Sequence, residues 1–297
     1  MRSSTRESAT GKRPAARRSA PYGTGRRRHL TPSARVGAAV LIVIALAAGA
    51  PSIFTRASPD QVDILTRLAP PSHAHPLGTD NIGRDLLARL VHGARISLTV
   101  ASISVGGAVC IGVTLGLLAG YFGGWMESVV MRIVDVFLAF PAILLALALV
   151  AVLGAGVTSV VTALTLVFWT QYARVVRATV LAEKQKVYVE AARAIGADNG
   201  RIVIRHILPN ILSPVIILAT LGMGTAVVAE STLSFLGMGV QPPAPSWGWT
   251  LAFGTRYLRD APHIATFSGL AIMLTVLGFN LLGDGVRDML DPRFRPQ

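Results

Sequence analysis

The chain has 297 residues, of which 52% are hydrophobic and only 14% charged, and its formal net charge is +13. A soluble domain carries about 25% charged residues. The shortfall is concentrated in runs near the roughly twenty residues that cross a bilayer, which excludes a soluble globular protein. The runs are continuous rather than alternating, which argues against a β-barrel.

The expected class is an all-α polytopic membrane protein with about six transmembrane helices, each satisfying its own backbone polar groups. Residues 1–35 carry ten Lys/Arg against one acid, Glu7, and almost no large apolar side chains. They read as a basic, disordered cytoplasmic tail. Positive charge beside a first span is the positive-inside signal, assisted by anionic membrane lipid, and needs no nucleic acid. The first span runs from Val36 to Phe54. Ala47-Ala48-Gly49-Ala50 resembles a cleavage site, but the basic region is long for a secretion signal and further spans follow, so an uncleaved signal anchor is expected. With the outer loop that follows, this unit covers 36–95.

The outer loop holds Leu77-Gly78-Thr79-Asp80-Asn81-Ile82-Gly83-Arg84-Asp85. Leu86, Leu87, Leu90 and Val91 then recur at helical spacing and predict a short interfacial helix before the second span. His73 and His75 lie near Asp80, but a metal site wants a fuller ligand set, and none is expected.

Further spans are predicted at 96–120, 134–153, 157–180, 211–232 and 263–283. The second contains Cys110, the single cysteine, read as a buried thiol. It also carries Gly112, Gly116, Gly120 and Gly124, four apart on one helix face. That stripe serves either a tight interface with another span or subunit, or packing inside the bundle. In the fourth span, Gln171, Tyr172, Arg174 and Arg177 continue the helical period towards the cytoplasm, so this helix is expected to project beyond the bilayer. The loop at 233–262 includes Gln241-Pro242-Pro243-Ala244-Pro245-Ser246-Trp247-Gly248-Trp249. Its prolines stiffen it and its tryptophans suit a membrane boundary, as a platform for a partner or substrate, as an interfacial anchor, or as both.

With the N-terminus inside, 21 Lys/Arg fall on the cytoplasmic side and seven outside, which supports N-in and C-in. Three acids lie within or near the spans. Asp135 is accounted for by a helical pair with Arg132, and Asp284 lies where the last span exits. Glu230, beside Ser231 and Thr232, either faces a translocation path or ties the fifth span to the loop after it. Ser231 and Gln171 are further candidates for that path.

The most distinctive segment is a polar island at 183–210, between the fourth and fifth spans. It reads Glu190-Ala191-Ala192-Arg193-Ala194-Ile195-Gly196, then His206-Ile207-Leu208-Pro209-Asn210. A helix former breaks at a glycine, resumes as a basic amphipathic stretch and is expected to end at Pro209 before the fifth span. No phosphate loop of the form G-x-x-x-x-G-K-[ST] occurs; the one Gly-Lys pair, Gly11-Lys12, precedes Arg13. There is no G-x-S-x-G, H-E-x-x-H or paired-cysteine motif, so the chain is read as non-catalytic.

The island resembles the cytoplasmic signature of permease subunits of bacterial ATP-binding-cassette importers: E-A-A, three residues, G, nine residues, then I-x-L-P. Glu190, Ala191, Ala192, Gly196, Leu208 and Pro209 match it. His206 replaces the isoleucine, as is common in the branch that handles peptides and nickel. The segments Leu77 to Asp85, Gly93-Ala94-Arg95-Ile96-Ser97-Leu98, Gly120-Tyr121-Phe122-Gly123-Gly124, Ala229 to Gly237, and Asn280-Leu281-Leu282-Gly283-Asp284-Gly285 to Asp291-Pro292 look like the second permease of dipeptide and oligopeptide importers. The resemblance runs from about residue 36 to the C-terminus.

What it implies is a type I importer permease fold, with residues 96–297 as the transmembrane domain and 183–210 as its coupling loop. Implied partners are a second, homologous permease, two cytoplasmic ATPases, an extracytoplasmic solute-binding protein and a peptide substrate. This chain would need no cofactor, since ATP and Mg would sit on the ATPases. Nickel or glutathione as cargo is the alternative within the class. Outside it stand an ion-coupled secondary transporter working alone, which would want inverted repeats and mid-membrane acids, and a membrane-anchored scaffold that binds a partner through the island.

Overall fold

The computed structural model describes residues 31–290. The basic tail before Thr31 and the segment after Leu290 lie outside them, as do most of the tail charges. Each apolar run forms helix, because in hydrocarbon an open backbone N–H or C=O has no water to bond. In chain order the helices are α1 (Pro32–Gly49), α2 (Leu86–Phe122), α3 (Gly124–Leu138), α4 (Ala142–Leu153), α5 (Val157–Glu183), α6 (Val187–Ala194), α7 (Asn199–Arg201), α8 (Leu208–Phe235), α9 (Trp247–Arg256) and α10 (Pro262–Leu290).

The Leu86–Val91 stretch is not a separate interfacial helix. It is the start of α2, which runs 37 residues without interruption. At 1.5 Å per residue that is about 55 Å, well beyond a hydrocarbon core of about 30 Å, so α2 projects from the bilayer. Asp85 caps it, its Oδ1 accepting from the Ala88 N–H at 2.7 Å.

The glycine stripe resolves in favour of internal packing. A Cβ on Gly112 would lie 2.5 Å from Tyr172 Cβ, one on Gly116 2.7 Å from Ala173 O, and one on Gly120 2.9 Å from Val180 Cβ. The stripe therefore lets α2 and α5 approach backbone to backbone. Gly124 does not belong to it. Its φ is +59° and a Cβ there would meet nothing within 4 Å; it opens α3 after the turn at Gly123.

These contacts also fix direction. Ser104 meets Val161 and Gly120 meets Val180, so α2 and α5 run parallel. The segment joining them must cross back from one end of the bundle to the other. The predicted third span, 134–153, is accordingly a broken crossing: α3 and α4 meet at 90° where Pro141 interrupts the helix. Six crossings result among the described residues, which place Thr31 and Leu290 on one side. α10 closes the bundle antiparallel to α1 and α8, with Gly37 against Leu281 and Gly283 against Leu221.

Two other expectations change. Cys110 is exposed on the outside of the bundle rather than buried. Asp135 does not pair with Arg132; its carboxylate accepts from Arg174 Nη2 of α5 at 2.7 Å, so the pair links two helices.

Candidate functional site

The polar island folds around a small core of its own. Val189 and Ala192 of α6 pack with Ile202, Ile207 and Ile211 against Leu117 and Tyr121 of α2 and Val176 and Val180 of α5. These are the ends of α2 and α5, so the island is carried on a rigid stalk.

Gly196 ends α6. Its φ is +85°, the left-handed region that glycine enters without penalty. The Gly196 N–H donates to Arg193 O and the Ala197 N–H to Ala192 O, both at 3.0 Å. This is a Schellman closure, which satisfies two carbonyls left open by the helix end. Asp198 then caps α7 through the Arg201 N–H at 2.6 Å.

Pro209 does not end the element. The helix is continuous from Asn199 to Phe235. It passes the proline by widening into a π-helical stretch at Ile202–Ile207, where the Leu208 N–H donates to Val203 O. Proline has no N–H and its ring crowds the carbonyl four residues back; a wider turn relieves both. His206 acts here through its main chain: its carbonyl accepts from Asn210 Nδ2 at 2.6 Å, with the Tyr188 hydroxyl oxygen 3.3 Å away.

That carbonyl belongs to a cluster the sequence did not disclose. The Tyr188 hydroxyl donates to Glu183 Oε2 at 2.7 Å, Lys186 Nζ donates to Glu183 Oε1 at 2.6 Å, and Asn210 Nδ2 reaches the Tyr188 oxygen at 3.2 Å. The Tyr188 pKa is pushed up to about 12 by loss of water around it and by the hydrogen bond and charge of Glu183. It therefore remains a donor throughout the physiological range. On the stalk, Lys184 Nζ donates to Gly120 O at 2.9 Å and Arg177 Nε to Glu127 Oε1 at 2.7 Å, tying the ends of α2, α5 and α3 together. Tyr188 and Glu183 carry no motif; only their places on either side of the short turn at 184–186, between α5 and α6, could have signalled them.

With one face of α6 buried, the other is presented outward. Glu190, Ala191, Arg193 and Gly196 are exposed, as are Val187 at 79% and Ile195 at 87%. Leu208 is half-buried and Pro209 exposed. The motif residues thus divide: Ala192 packs inward, Gly196 shapes the turn, Pro209 sets the π-helical stretch, and Glu190 and Ala191 face out.

The path candidates do not share a site with the island. Gln171 is exposed on α5. Glu230 and Ser231 are buried at the opposite end of the bundle, where Glu230 is 0% exposed. On the outer side, His75 Nδ1 lies 2.9 Å from Asp85 Oδ2, while Asp80 Oδ2 accepts from Arg84 Nε at 2.6 Å. His75 and Asp80 are thus engaged with other side chains. Trp247 is buried, its Nε1–H donating to Leu90 O at 2.8 Å, so it is a packing residue and no membrane-boundary anchor.

A family described as binding-protein-dependent transport system inner membrane component matches residues 112–296, a stretch that includes the whole island. The chain belongs to this family. It is 44% identical over 260 residues to the dipeptide transport system permease protein DppC of Alkalihalophilus pseudofirmus, covering 88% of this chain and 86% of that one. It is also 44% identical over 269 residues to the glutathione transport system permease protein GsiD of Pectobacterium atrosepticum, covering 91% and 89%. An inward-facing structure of the MetNI methionine ABC transporter superposes with a TM-score of 0.55 at 23% identity, over 68% of this chain and 96% of that one, and shares the fold. This binding-protein-dependent transport permease is thus a multi-pass inner-membrane component of a transport system.

Proposed function

We propose that the chain is the second permease of an ATP-driven importer for dipeptides or oligopeptides. It forms the translocation pathway with a homologous permease. Two cytoplasmic ATPases drive it, and a solute-binding protein outside delivers the cargo. ATP and Mg bind to the ATPases; this chain transmits their cycle and catalyses nothing itself. The observation that carries the reading is the outward face of α6. Val187 and Ile195 stand in solvent on an element that is otherwise locked to the stalk by its own core. Exposed apolar side chains on a rigid helix, flanked by Glu190 and Arg193, suit a groove on a partner.

Coupling then works through packing. Movement of the ATPases pushes on α6, and the shared core delivers that displacement to α2, α5 and α8 as rigid bodies. The apolar outward faces of α3 and α4, with Trp125, Val129, Val136 and Leu144, are available to the second permease.

Reconstituted complex carrying Gly196→Val tests this. Valine at φ of +85° is strained by about 1–3 kcal/mol, which reshapes the turn. Uptake per ATP hydrolysed is expected to fall sharply while membrane insertion is retained. Unchanged uptake per ATP would remove the coupling role. Glutathione is the second reading for the cargo, because its permease is as similar to this chain as the dipeptide permease is. Competition between labelled dipeptide and glutathione for uptake decides between them. Uptake abolished by ionophores and indifferent to the ATPases would instead indicate a secondary transporter.

A further inference from the structure

Residues 239–256, between α8 and α10, form a lid over the outer end of the bundle. The chain enters it by a second Schellman closure, with Gly237 at φ of +79° and the Met238 N–H donating to Leu233 O at 2.9 Å. From there the lid lies directly on backbone. A Cβ on Gly239 would be 2.0 Å from Ser234 Oγ, one on Gly248 2.2 Å from Ser231 O, and one on Gly254 2.5 Å from Ala265 N. Two ties reach across to α2. Trp247 Nε1–H donates to Leu90 O at 2.8 Å, and Arg89 Nη1 donates to Pro59 O at 3.0 Å and to Pro243 O at 3.4 Å.

Beneath the lid sits Glu230. Ser234 Oγ donates to its Oε1 at 2.8 Å and Ser97 Oγ to its Oε2 at 2.9 Å. Ser231 Oγ and Ser246 Oγ approach the same carboxyl at 3.4 Å each. The four hydroxyls come from α2, from α8 and from the lid. Ser246 is also the N-cap of α9, its oxygen accepting from the Trp249 N–H at 3.4 Å. A hydroxyl has one proton to donate and two lone pairs, so Ser246 can cap α9 and bond Glu230 together. The N-terminus of α9 thus starts beside a buried acid, an arrangement favoured by the helix dipole. Among the described residues no Lys, Arg or His is ion-paired with Glu230.

We propose that Glu230 is the positioning residue that seats this outer lid: a buried carboxyl whose hydroxyl donors from α2, α8 and the lid converge on it, so that the lid opens only when they separate. The inference rests on the transport reading for its significance, since a lid at the outer end governs passage to the outside. Its physical content is independent of the cargo. Donors gathered on a single carboxyl make the attachment cooperative: lifting Ser246 alone uncaps α9 and strips Glu230 of a donor at once. A buried carboxyl losing donors is costly, which gives the lid a sharp seated state and not a graded one.

The test uses full-length permease in membrane vesicles with its transport partners. Cys110 is replaced by Ser, and Val240→Cys, a buried position of the lid itself, reports opening through a membrane-impermeant maleimide. Val100→Cys, buried in α2, reports general loosening. Glu230→Ala is expected to label Val240→Cys about tenfold faster while Val100→Cys stays protected. Glu230→Gln, which keeps one carbonyl acceptor, should recover most of the protection, and Ser246→Ala should fall between. If Glu230→Ala does not accumulate, the Gln and Ser246→Ala variants carry the comparison. Equal labelling of Val240→Cys in all variants, or parallel labelling at Val100→Cys, overturns the proposal. So does an unchanged lid accompanied by altered preference between cationic and neutral peptides, which would place Glu230 on the pathway itself. Loss of peptide uptake in the parent, with the labelling pattern intact, would count against the cargo and leave the lid standing.

Discussion

The two ends of the molecule are built on opposite terms. The cytoplasmic island hides a small apolar core and turns apolar side chains, Val187 and Ile195, out to solvent. The outer end instead buries polar groups: Glu230 of α8 gathers serine hydroxyls from α2, α8 and the lid, and Arg89 of α2, at 1% exposure, donates to the Pro59 and Pro243 carbonyls. An apolar outward face on a rigid support is made to be covered by another protein. A buried polar network is made to hold one arrangement and release it as a unit. On the proposals above, the contrast separates a docking end from a gating end, joined by α2, α5 and α8.

The contrast should collapse most completely when the shaft between the two ends is damaged. Gly112→Leu forces a side chain where even a Cβ would be 2.5 Å from Tyr172. Overpacking costs about 1–3 kcal/mol and here separates α2 from α5, so both ends should fail together, read as protease sensitivity at island and lid alike. Next in size is Gly196→Val, described above, which should impair the island and leave maleimide protection of the lid untouched. A smaller effect is expected from Asn210→Ala. It removes a donor from His206 O and from Tyr188 for about 1 kcal/mol, and should raise protease cleavage within 183–210 with modest loss of coupling.

Smaller still is the pH response of Tyr188. Its folded pKa is raised above the ordinary tyrosine value, to about 12. The unfolded chain therefore loses this proton first, and the stabilising contribution is complete below the ordinary value of about 10 and declines as pH rises from there towards 12. Cleavage of the island should be flat from about pH 6 to about pH 9 and rise only above that, and Tyr188→Phe should abolish the rise. The least effect is expected at the exposed Arg174–Asp135 pair, where Asp135→Asn should change stability by well under 1 kcal/mol, as surface pairs do.

Much of this was legible in the order of residues. Long charge-free runs are helices because hydrocarbon leaves the backbone no other partner, and the asymmetry of Lys and Arg orients them. Gly196 was readable as a turn because so few residues tolerate a positive φ. The glycine stripe was readable as a close contact, though not with which helix, since spacing names a face and not its neighbour. Gly124 kept the spacing and left the face, because the helix ended before reaching it.

Other features were settled only by the assembled fold. Pro209 breaks a helix by local rules, yet the helix continues, because the core around Ile202, Ile207 and Ile211 holds its two halves in line and a π-helical stretch absorbs the proline. The ion pair of Asp135 lies across helices that are distant in sequence, so a nearer arginine misled. Glu230 meets Ser97 from 133 positions away and Ser246 from the lid, and no local pattern could bring them together. Residue order was enough for the membrane class, the orientation and the presence of a polar element between the fourth and fifth spans, because those follow from short-range periodicity and from charge. Which face of α6 stays exposed, which glycines pack and which groups meet the buried acid were decided by the bundle, because those depend on which distant surfaces it presses into contact.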